Sequence, residues 1–158
     1  MANFRVNITI RKPIDIVTKA YVIPENIPFW MNNVDKFEVI KGKIGEVGSI
    51  AHVHYSERGK KYIMEDKLEY CEPGKKYVST VSSEALFVRT ETTFSNMKEI
   101  TKINLKWSGK GKYFILKLLL PFMRKNIRKM AKKELSRFKY FVESYGIDFT
   151  KSLEQKSN

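Results

Sequence analysis

The sequence predicts an α+β fold in which a curved, seven-stranded antiparallel sheet wraps around a long C-terminal helix, with two short helices between the first and second strands. Three observations carry that reading. An alternating segment opens the chain, residues 37–108 hold six further strand-like segments separated by turn residues, and the residues beyond Gly111 fall into helical spacing followed by a polar tail. With 158 residues, 42% of them apolar and 13% aromatic, the chain can fill one packed core and is too apolar for a disordered segment.

Phe4, Val6, Ile8 and Ile10 alternate, so the first strand buries one face. Pro13 suits a helix start and Ile14, Val17 and Tyr21 follow at helical spacing, while Pro24 and Pro28 divide the next stretch; helices over 14–22 and 25–31 result. A strand resumes at Phe37 and ends at Gly42. In segment 49–55, Ala51, Val53 and Tyr55 share one face and His52 and His54 the other. Arg58-Gly59-Lys60 and Glu72-Pro73-Gly74 turn the chain into segments 62–70 and 77–83, and Ser95–Lys98 joins 86–94 to 101–108. In the last strand Ile103, Leu105 and Trp107 alternate with Lys102, Asn104 and Lys106, so the sheet has one wet face. Segment 62–70 admits both facings: Met64 and Leu68 mark one side as inward and Ile63 the other, which would draw Glu65 and Lys67 inside. Ile127, Met130, Ala131, Leu135, Phe138 and Val142 define the buried stripe of the long helix, with Pro121 expected in its first turn after a separate apolar turn or short helix, and Gly146 as its stop. The domain is expected to span residues 1–146, leaving 147–158 as a frayed polar tail.

Composition excludes several classes. Cys71 is the only cysteine, which rules out an intramolecular disulfide and a Cys-rich metal site and fits a reducing compartment. The opening Met1-Ala2-Asn3-Phe4-Arg5 lacks the basic start and apolar run of a secretory signal, so a cytoplasmic location is expected. Tyr113 to Met123 is the longest apolar stretch, and Lys117 and Pro121 interrupt it well short of a bilayer span. No phosphate-binding glycine loop, His-Glu-x-x-His or Gly-x-Ser-x-Gly occurs. His52 and His54 point to one side of a strand with no third ligand at a readable spacing, so neither a metal nor another cofactor is expected.

The order of elements, together with Pro24-Glu25-Asn26-Ile27-Pro28-Phe29-Trp30, the turn from Lys41 to Ser49, Glu72-Pro73-Gly74-Lys75 and the terminal Leu135-Ser136-Arg137-Phe138-Lys139, resembles the START-like (SRPBCC) superfamily of helix-grip proteins over residues 3–145. That superfamily includes polyketide cyclase/dehydrase-like and lipid-transport-like members. The resemblance implies an apolar cavity between sheet and long helix that binds or carries an apolar or amphipathic small molecule: a lipid, polyketide or aromatic compound. Carried onto this sequence, the lining residues are Val53, Tyr55, Tyr77, Val81, Thr90, Thr92, Leu105 and Trp107 from the strands, Ile127 and Met130 from the helix, and Trp30 and Phe122 as further large rings. Cyclase-like relatives imply instead acid–base chemistry, which here would fall to Glu65, Asp66, Arg89 or Tyr55 where these are buried. Cys71, beside a turn and without a paired base, reads as an inert thiol.

A formal net charge of +13 opens a further reading. Between Arg124 and Lys139 eight basic residues stand against Glu134 alone, which suits an accessory protein that docks peripherally on an anionic membrane or partner. Nucleic acid fits less well, because a single-strand reader exposes aromatic rings among its basic residues and Phe138 and Phe141 fall on or beside the buried stripe.

Overall fold

A computed structural model of the chain describes residues 1–157. Strand β1 (Ala2–Ile10) leads into helix α1 (Ile14–Val22), a single 3-10 turn (Pro24–Asn26) and helix α2 (Ile27–Trp30). Six strands follow: β2 (Val34–Lys41), β3 (Ile50–Glu57), β4 (Lys60–Glu72), β5 (Lys76–Ser82), β6 (Leu86–Met97) and β7 (Ile100–Gly111). Helix α3 (Phe114–Tyr145) and a short helix α4 (Phe149–Ser157) complete the described chain. The strands form one antiparallel sheet in the order β1-β7-β6-β5-β4-β3-β2, so the first strand closes on the last and the rest meander. This is the expected helix-grip fold: α3 lies along the inner face and packs against β1 and β7, α1 packs against β6 and β7, and α2 with the 3-10 turn packs against β2.

Alternation makes the inner face. Phe4, Val6 and Ile10 of β1, Val53 of β3, Phe94 of β6 and Ile103 of β7 are buried with Ala131, Leu135, Phe138 and Val142 of α3. Phe4 opposes Trp107 across the β1–β7 pair, and their rings stack at 5.0 Å. The Trp107 ring runs along its own strand over Gly109, where an added Cβ would sit 2.2 Å from the indole. Gly109→Ala is therefore expected to cost about 1–3 kcal/mol by displacing the ring, measured by urea unfolding together with the tryptophan near-ultraviolet dichroism.

Two expectations fail. Residues 147–157 are not a frayed tail: α4 begins at Phe149, which is fully buried against Phe29, Phe138 and Phe141. The fully buried Asn26 anchors it, its amide donating to the Ala20 and Ile147 carbonyls (2.9 and 2.7 Å) and its carbonyl accepting the Phe149 N–H (3.0 Å). Asn158, the last residue of the expected tail, lies outside the described residues. Nor does Pro121 open the long helix. Helix α3 starts seven residues earlier, at Phe114, and runs on through it, because an interior proline removes one backbone hydrogen bond while the flanking turns stay bonded.

Candidate functional site

Between the inner face of the sheet, α2 and α3 lies a cavity of about 620 Å³. Aromatic packing shapes its deep end: the Tyr21 ring contacts Trp30, Tyr77, Phe94 and Phe138, and the Tyr21 hydroxyl bonds the Thr92 hydroxyl at 3.0 Å. Ile44 from the β2–β3 connection, Glu57 and Tyr62 from the β3–β4 hairpin, and Met123 and Met130 from α3 are exposed members of its wall and mark the rim.

Ten of the twelve lining residues expected from sequence stand on this wall: Trp30, Tyr55, Tyr77, Val81, Thr90, Thr92, Leu105, Trp107, Ile127 and Met130. The other two do not. Val53 shares the inward face of β3 with Tyr55 but is sealed into the packed core, paired with Phe37, and touches no cavity space. Phe122 points to solvent, 85% exposed, because the buried face of α3 is already set by Leu120, and two residues further on the helix presents its opposite side.

The facing of β4 is resolved. Tyr62, Met64, Asp66 and Leu68 look inward, whereas Ile63, Glu65 and Lys67 are exposed on the outer face. Of the acid–base candidates, Asp66 and Tyr55 thus reach the cavity. Glu65 does not, and Arg89 lies outside, paired with Glu91 at 3.4 Å. His52 and His54 are also outside, where His54 Nε2 lies 4.0 Å from Glu38. Cys71 is half-buried, and burial raises its thiol pKa, the direction of an inert thiol.

Sequence reasoning passed over Glu134, the one acidic residue of the basic segment. It turns inward, and its carboxylate accepts the Asn32 N–H at 2.9 Å. Its position four residues after Met130 and seven after Ile127 was the available signal, since those spacings keep to one helix face. Burial raises the Glu134 pKa above the ordinary carboxylate value, against the lowering pull of the Asn32 N–H and Arg137. Burial likewise lifts Asp66 from 3.8 to about 6, with the Ser79 hydroxyl pulling the other way. The Tyr55 and Tyr21 hydroxyls are raised as well, first by burial, and both feel the two carboxylates. Among the described residues, no Lys, Arg or His lines this cavity. The site is an apolar chamber with two inward carboxyl groups, Asp66 and Glu134, a third carboxylate, Glu57, at its exposed rim, and several hydroxyls, inside a protein of net charge +13.

A curved antiparallel sheet gripping one long helix over an open-mouthed cavity is the START-like helix-grip fold. Solved structures similar to the chain include Ara h 8.0201 (TM-score 0.74, 20% identity, 90% of this chain and 97% of that one) and a START superfamily protein from Mycobacterium smegmatis (0.63, 8%, 84% and 95%). The di-domain ARO/CYC BexL from the BE-7585A biosynthetic pathway is also similar (0.73, 13%), with 90% of this chain covering 47% of it. No protein-family model and no curated protein sequence matches the chain.

Proposed function

We propose that the chain binds one apolar or amphipathic small molecule in the cavity, and that the favoured ligand presents an amine or another hydrogen-bond donor, not an acid group, to Asp66 and Glu134. The observation that carries this reading is the composition of the wall: aromatic and aliphatic side chains, two inward carboxyls and no basic group among the described residues. The volume suits a drug-sized ligand, and such chambers hold an apolar body while a few polar points set its orientation. An ionised ligand carboxylate would lose its hydration and face the negative field of Asp66 and Glu134, so fatty acids are disfavoured. An ammonium group would gain a charge-assisted hydrogen bond at the same place.

The test uses ten-carbon amphiphiles that differ only in the head group. Trp30 and Trp107, the only tryptophans, both stand on the cavity wall, so intrinsic fluorescence reports occupancy directly. At pH 8 decylamine is expected to bind near 1:1 and most tightly, decanol less tightly, and decanoate more weakly than either by on the order of tenfold. Decanoate binding as tightly as decylamine would overturn the head-group preference, and no saturable response to any of the three would overturn the cavity reading.

The same carboxyls favour a second reading, acid–base chemistry on the bound molecule, because an Asp66 that titrates near 6 can both give and take a proton close to neutrality. The two readings part on whether a bound polyketide-like ligand is recovered unchanged by mass spectrometry after incubation.

A further inference from the structure

The first turns of α3 carry a surface that the sheet does not cover. Phe114, Ile115, Leu118, Leu119 and Phe122 share one outward face at about 3.6 residues per turn, and Phe114, Ile115 and Phe122 are 75%, 71% and 85% exposed. A contiguous patch of this kind on a monomer marks an interaction site. Along the same outward face the next turns switch to Lys125, Lys129, Lys132 and Lys133, all exposed. Between Lys112 and Val142 the only acidic residue is Glu134, and it faces the cavity.

We infer that this end of α3 is a docking surface for an anionic lipid bilayer, with the apolar turns seated among the upper acyl chains and the lysine turns against the head groups. No helix among the described residues is long and apolar enough to cross a membrane, and ten residues at about 1.5 Å each are far too short to span one. The geometry is that of an element lying in the interface, where buried apolar area and attraction between basic side chains and acidic lipids add. Charge selects the occupant: a second copy laid on this face would bring two lysine-rich segments together in a protein of net charge +13, whereas an anionic bilayer neutralises them. Met123 borders both the patch and the cavity rim, so docking would set the mouth against the lipid surface.

Vesicle flotation with the full chain tests the surface independently of any cavity ligand. Binding to phosphatidylcholine vesicles containing 30% phosphatidylserine is expected at 50 mM salt (both about these values), with little binding to pure phosphatidylcholine. The exposed double change Phe114→Ser and Phe122→Ser should weaken partitioning by on the order of tenfold or more, with an unchanged thermal melt and unchanged decylamine titration. Replacing Lys125, Lys129, Lys132 and Lys133 by Glu should abolish it. Three results would overturn the inference: no binding to the anionic vesicles at low salt; binding that the double change leaves intact, which would make the contact purely electrostatic; or a stable dimer in solution that the double change dissociates, which would give the patch to a second copy.

Discussion

Replacing Asp66 by Asn should weaken both the pH dependence and the amine preference of the cavity, leaving Glu134 as its one inward carboxyl. In the wild type, decylamine affinity is expected to fall as pH drops through about 6, where Asp66 takes up its proton, while decanol affinity stays flat. In Asp66→Asn, decylamine should bind on the order of tenfold more weakly at pH 8, for want of the charge-assisted hydrogen bond, and decanol should change little. Stability moves in the opposite direction. Because the folded pKa lies above the unfolded value, the folded state holds its proton to higher pH, and stability is lost as pH rises from about 4 to about 6. Two pKa units correspond to roughly 3 kcal/mol, and water reaching the open cavity reduces this to about 1–2 kcal/mol. Asp66→Asn should therefore raise the unfolding free energy by that amount at pH 8 and leave it nearly unchanged at pH 4. Equal effects at the two pH values in urea melts would contradict the assignment of Asp66 to a desolvated site.

The second large effect is expected at Asn26. Substitution by Ala leaves the Ala20 and Ile147 carbonyls and the Phe149 N–H without the partner they now share in a buried position. Each orphaned buried group costs about 1–3 kcal/mol, and relaxation of α4 relieves part of that, so a loss of about 3 kcal/mol is expected in chemical unfolding. Hydrogen exchange should quicken in α4 and around α2 more than in β6 and β7. A uniform change across the sheet, or a loss below about 0.5 kcal/mol, would contradict the clamp.

The sheet was legible because its physics is local: period-two alternation and turn residues place β1, β3 and β5 to β7 without knowledge of their partners. Segment 62–70 resisted for a physical reason. Its inward set, Tyr62, Met64, Asp66 and Leu68, contains an acid, while the apolar Ile63 sits on the wet face, so polarity does not alternate with facing along this strand. Asn26 and α4 were illegible because they stabilise each other across more than a hundred residues; alone, Phe149 among Thr150, Lys151 and Ser152 gives no periodic signal. Phe122 suggests a lining ring only by its aromatic character, which says nothing about helix face. A frame set from Leu120 and Ile127 turns it outward, and the same frame carries Glu134 in. Within the cavity the aromatic wall could be read from strand alternation, but which carboxyl turns inward is decided by register and burial.

The most direct test of the central claim is to locate a bound ligand by intermolecular nuclear Overhauser effects with decylamine carrying a labelled chain. Contacts are expected from the chain to the Trp107 indole and the Tyr55 and Tyr77 rings, with the carbon next to nitrogen nearest the Asp66 and Glu134 side chains. Contacts confined to Phe114, Leu118 and Phe122 on the outside of α3, with the cavity rings untouched, would contradict it.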